Sequence, residues 1–148
     1  MVVTFFGHRN TPNSVVPLLR QILRELVEEQ GADDFYVGNQ GNFDAMVCRE
    51  LSALRSEYPH IRCTVVLAYL PTEAGAISVP DGCRTVFPEE VATVPRRFAI
   101  SHRNRWMIQK ADTVVTYVAF STGGAAQFEH MAETKGKRII RLFARETQ

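Results

Sequence analysis

Apolar residues fall along this chain in short dense runs, separated by stretches in which they recur every three or four positions. Val2–Phe6, Phe35–Val37, Cys63–Leu70, Thr85–Phe87, Thr113–Val118 and Arg138–Leu142 are rich in β-branched and aromatic residues and predict six strands. Between the first two, Val15, Leu19, Ile22, Leu23 and Leu26 share one helical face while Arg20, Arg24, Glu25 and Glu28 occupy the rest. That helix is expected to be capped by Ser14, to tolerate Pro17 in its first turn and to stop at Gly31. Phe43, Val47, Leu51 and Leu54 mark a second helix ending before Pro59. Further helices are expected over Arg97–Lys110 and from Gly123-Gly124 to about Lys135.

Strand and helix alternate throughout, an order that predicts a parallel or mostly parallel sheet in a Rossmann-like three-layer α/β/α domain with right-handed crossovers. The unbroken apolar character of Cys63–Leu70 fits a strand covered on both faces. Ligands of such sheets bind beyond the carboxyl ends of the strands. Gly7, Gly38 and Gly123 all follow strands, so their loops should meet at that edge, with the turn-rich Pro71–Gly82 as a loop beside it. Repeats, linkers and low-complexity tracts are absent from the sequence.

A length of 148 residues with 45% hydrophobic content suits one domain with a sizeable core. The net charge of +1 gives no general attraction to nucleic acid or membrane. Val2-Val3-Thr4-Phe5-Phe6 is too short for a signal sequence, and no later run reaches membrane-spanning length, so a cytoplasmic protein is expected. Cys48, Cys63 and Cys83 form no C-x-x-C pair, and reduced structural thiols are expected. His8, His60, His102 and His130 lack metal-ligand spacing; no metal and no cofactor are expected.

The segment ADTVVTYVAFSTGGAAQFEHMA, beginning at Ala111, is the most informative in the chain. A strand running through Gly123-Gly124 into a helix brings backbone N–H groups and a positive dipole end close to a ligand, which suits phosphate. Glu129 in that helix either acts on a ligand, or is a solvated carboxylate, or pairs with Lys135 or Arg103. Asp44 either caps its helix or reaches a ribose or base from the Gly38-Asn39-Gln40-Gly41 loop. Arg96, Arg97, Arg103, Arg105 and Lys110, interleaved with His102 and Trp106, form either a phosphate clamp with a stacking ring or a solvated face around a core tryptophan. His8 and Arg9 lie just past the first strand, where an anion would arrive, although a lone histidine there is also expected as a local hydrogen-bonding partner.

These motifs resemble the SLOG superfamily, which joins DprA-like, lonely-guy-like and YpsA-like proteins, and more closely its YpsA-like branch. The resemblance covers nearly the whole chain. Thr4-Phe5-Phe6-Gly7-His8-Arg9 is similar to the branch's first strand and G-H-R turn, and Gly38 through Asp44 to its glycine loop. Arg103, Met107, Ala111 and Asp112 are similar to the R-K-x-x-M-x-x-x-A-D run of the lonely-guy phosphoribohydrolases, whose arginine and glutamate serve cleavage of a nucleoside monophosphate's N-glycosidic bond. Their P-G-G-x-G-T-x-x-E signature becomes Thr122-Gly123-Gly124-Ala125-Ala126-Gln127-Phe128-Glu129 here, without the proline, third glycine and threonine and with the glutamate one position early.

The resemblance implies a homo-oligomeric, nucleotide-binding domain that senses or regulates, with Gly7, His8, Arg9, Gly38, Asn39, Asp44, Gly123, Gly124 and Arg103 around a phosphorylated ligand. An N-glycosidase using Glu129 and Arg103 is the alternative reading. A single-stranded nucleic-acid module like the DprA-type relatives is the third, and near-neutral charge speaks against it.

Overall fold

The computed structural model describes residues 1–70, 79, 80 and 82–143. Six strands form a single sheet: β1 (Val2–Gly7), β2 (Asp34–Val37), β3 (Arg62–Val66), β4 (Cys83–Val86), β5 (Thr113–Tyr117) and β6 (Arg138–Arg141). Every pairing is parallel, in the order β4-β3-β2-β1-β5-β6. The chain thus builds outward from β1 to β4, then returns to the other side of β1 to add β5 and β6. That reversal defines a switch point between the carboxyl ends of β1 and β5.

The helices are α1 (Val16–Gln30), α2 (Asn42–Arg55), the short α3 (Glu89–Ala92), α4 (Ala99–Lys110) and α5 (Gly124–Thr134). Alternation of side chains along β1 sets the layers. Val3 and Phe5 point into a core shared with Leu19, Leu23 and Leu26 of α1 and Phe43, Val47 and Leu51 of α2. Val2 and Phe6 point the other way, toward Met107 and Ile108 of α4 and Phe128 and Ala132 of α5. The three-layer arrangement therefore follows from one strand that is apolar on both faces.

Several boundaries differ from the sequence expectation, each for a local reason. Ser14 does not cap α1: Asn13–Val15 form a 3-10 turn, and the helix proper begins at Val16 with Pro17 in its first turn. Gly31 ends α1 in the left-handed conformation, at φ 71°. The ladder of β3 stops at Val66, short of the expected Leu70, although Leu67 still donates to Val86 O at 2.8 Å. Pro95 precedes a 3-10 turn over Arg96–Phe98, so α4 starts later than its apolar pattern suggested. Of the expected Pro71–Gly82 loop, residues 71–78 and 81 lie outside the described residues. No helix among the described residues is long and apolar enough to cross a membrane.

Candidate functional site

At the switch point lies a cavity of about 350 Å³, lined among others by Gly7, His8, Arg9, Gly38, Asp44, Arg103 and Gly124. Its size falls in the ~300–1,000 Å³ range of small-molecule sites. A neighbouring cavity of about 390 Å³ shares Gly38 and Asp44 with it and adds Asn39, Gly41, Cys48, Val79 and Pro80. The loops after β1 and β2 and the start of α5 thus converge on one edge of the sheet.

Arg103 is the largest charged side chain in the interior, only 2% exposed. Its Nε donates to Asn104 Oδ1 at 2.8 Å, and its Nη1 donates to Val66 O at 3.0 Å and Asn39 Oδ1 at 3.2 Å. All three acceptors are neutral. Burial pulls the guanidinium's pKa down from its ordinary value, while Asp44 and Tyr69 oppose this through their longer-range field. A cation held this way is poorly compensated, and an anion entering the cavity would relieve it.

Asp44 stands in the first turn of α2 and accepts the Gln40 N–H at 2.8 Å. It reaches back past the helix start to fix the glycine loop instead of capping its own helix. Desolvation pushes its pKa up to about 6, with the Gln40 bond and the Arg103 field pulling the other way. Gly38 separates the two charges. A Cβ there would lie 2.8 Å from Asp44 Oδ2 and 3.1 Å from Arg103 Cζ, so any side chain at this position would displace the end of one or both.

The first strand contributes differently. His8 Nε2 accepts the Ala119 N–H at 2.9 Å, which makes the imidazole a neutral acceptor and ties the ends of β1 and β5 together. Burial lowers its pKa, consistent with that form. Arg9 is exposed at the cavity mouth, and its carbonyl accepts the Asn42 N–H at 2.8 Å at the head of α2. Gly123 is the residue before α5, at φ 105°, and no side chain caps that helix. Gly124 and Ala125 bring its uncapped first turn into the cavity lining.

Other candidates lie elsewhere. Glu129 is 5% exposed and accepts the Thr116 hydroxyl at 2.6 Å, with Arg141 Nε at 3.5 Å. It packs between α5 and β5 and is not among the described residues lining the cavity. Neither Lys135 nor Arg103, the partners weighed for it from the sequence, forms the ion pairs resolved at its carboxylate. Trp106 meets Tyr36 edge-on, carries Lys110 over its ring, and lines a separate groove with Arg62 and Arg84. Asp112 accepts the Val2 N–H at 2.9 Å, at the start of β1 and therefore at the opposite end of the sheet from the site.

Ile100, Asn104 and Phe128 also line the cavity, and no motif in the sequence singles them out. A signal for Asn104 is present in the helical pattern instead. Ile100, Arg103, Asn104 and Met107 form one helical stripe, and an Arg-Asn pair inside such a stripe must be buried together or break it.

No family model matches the chain, and no curated protein matches its sequence. Among solved structures it is similar to DNA processing protein A (DprA) from Streptococcus pneumoniae, with a TM-score of 0.65 and 16% sequence identity over 94% of this chain. The two share a fold. The match spans 49% of the DprA chain, so this chain corresponds to about half of that protein. The likeness agrees, at the level of the fold, with the resemblance to the SLOG superfamily read from the sequence.

Proposed function

We propose that the switch-point cavity binds a nucleotide or nucleotide-derived phosphorylated ligand, as a cytoplasmic sensor or regulator of the YpsA-like kind, and that it does so without turnover. The observation that carries this reading is Arg103: a guanidinium 2% exposed, held by neutral acceptors and lining a cavity of ligand size. The uncapped start of α5 supplies N–H donors on the same side. Phosphate would lie against Gly124, Arg103 and Arg9, with sugar or base toward Asp44 and the second cavity.

Binding without cleavage is supported by the position of Glu129, whose carboxylate is engaged by Thr116 and Arg141 away from the cavity. Among the described residues lining the two cavities, Asp44 is the carboxylate. The name of the similar protein, DNA processing protein A, favours a second reading in which the same cavity takes the backbone of single-stranded nucleic acid, helped by the exposed Arg96 and Arg97.

Calorimetry with a panel of ribo- and deoxyribonucleoside phosphates tests the proposal. At least one should bind, and Arg103→Met should weaken it by 1.5–3 kcal/mol, roughly 10- to 150-fold, the range for a lost charge-assisted hydrogen bond. Equal affinity in the variant would remove Arg103 from the site. Chromatography of the same mixtures should show no free base; release by wild type but not by Glu129→Gln or Asp44→Asn would establish the enzyme reading. Oligonucleotide binding that falls steeply with salt would favour the second reading.

A further inference from the structure

Three cysteines far apart in sequence are gathered beneath α2. Cys63 on β3 and Cys83 on β4 are register partners in adjacent strands. Their side chains therefore lie on the same face of the sheet, and both pack against the core beneath α1 and α2. Cys48 of α2 belongs to the same core cluster, and its neighbourhood, with that of Cys83, pushes the Cys63 thiol pKa up. Adjacent strands are about 4.8 Å apart, inside the ~4.4–6.8 Å between Cα atoms that a disulfide spans. Among the described residues no three His, Cys, Asp or Glu groups are set to hold a metal ion, which separates this trio from a thiolate metal site.

We propose that Cys83 and Cys63 form a hydroperoxide-sensitive dithiol that closes into a disulfide between β3 and β4. Cys83 is the half-buried member and meets the oxidant; Cys48 and Cys63 are buried. Its surroundings favour the thiolate. Arg55 is fixed beside it, with Nη1 donating to Gly82 O at 2.7 Å and Nε to Ile61 O at 3.0 Å. Gly82, at φ 85°, is required there, because any Cβ would overlap that guanidinium. The hydrogen bond from Cys63 and the charge of Arg55 outweigh partial burial and bring the Cys83 thiol down to about 7. Hydrogen bonding to Cys48 and Cys83 holds the Cys63 proton in place.

The chemistry balances with the two thiols and one hydroperoxide. The Cys83 thiolate attacks an oxygen of the hydroperoxide; an S–O bond forms, the O–O bond breaks, and the leaving alkoxide or hydroxide takes up a proton. Cys63 Sγ then attacks the sulfenic sulfur. The S–S bond forms, the S–O bond breaks, and hydroxide leaves with the Cys63 proton as water. Two electrons pass from the thiols to the oxidant, and a dithiol reductant reverses the change. Closure would pin β4 and the preceding Val79-Pro80 against β3, at the wall of the cavity that Cys48 also lines.

Treating the full chain with excess hydrogen peroxide and counting thiols under denaturing conditions tests the proposal. Free thiols should fall from three to one, with a Cys63–Cys83 linked peptide in a non-reducing digest, and dithiothreitol should restore all three. Cys63→Ala should instead accumulate a sulfenic acid trapped by dimedone on Cys83. Cys83→Ser changes a half-exposed position and should keep both remaining thiols under the same treatment. Three thiols surviving in the wild type, a linkage made only between Cys48 and Cys63, or oxidation of the Cys83→Ser protein would each overturn it.

Discussion

Asp44 and His8 sit at the same site but respond to pH in different senses. The folded-state pKa of Asp44 is raised to about 6 from 3.8, so the native state favours its protonated form. Its contribution to stability is fully present below the unfolded value and is lost as pH rises through about 6. Asp44→Asn should therefore gain on the wild type in thermal stability between about pH 4 and 7, with little difference at the acid end; a difference in melting temperature that stays flat across that window would show that Asp44 is well solvated. For His8 the folded pKa is lowered by burial, so its contribution is present above the unfolded value and lost as pH falls. Neither response was legible in the sequence. Asp44 was visible as a carboxylate in a glycine loop, but its desolvation depends on Gly38 and Arg103, the latter from a helix more than fifty residues further along the chain.

Among the elements, the turn from β1 into the site has the least room. A Cβ on Gly7 would overlap the ring of Phe43, which is 1% exposed in the core under α2. Gly7→Ala should destabilise the fold by about 1–3 kcal/mol, the usual cost of overpacking, as read from urea denaturation. Gly38→Ala should act on binding more than on stability, because its Cβ meets Asp44 and Arg103, whose outer ends face the cavity. An affinity loss of about tenfold or more in calorimetry, with a stability loss under ~2 kcal/mol, is the expected pattern. Here the sequence marked the positions, glycines at strand ends, but not what crowds them, which is Phe43 at Gly7 and Asp44 and Arg103 at Gly38. It was a poorer guide to helix starts, because Ser14 and Asp44 are common capping types and the structure uses neither as an N-cap.

For the molecule as a whole, alternation of strand and helix was enough to reach the parallel three-layer architecture, since parallel neighbours require crossover helices. The meeting of three cysteines was not recoverable that way, because it depends on the register of β3 against β4. The same topology bears on the order in which the chain can acquire its structure. β1 is made first, yet its neighbour β5 enters more than a hundred residues later, and the His8–Ala119 bond spans 111 residues. Closing so long a loop carries an entropic cost before any contact offsets it. Folding should be slow for a domain of this size, and a nascent chain that has emerged only as far as α4 would leave the β5-facing edge of β1 open to wrong partners. The ligand cavity, walled by β1 on one side and α5 on the other, would then be the last part of the native state to mature.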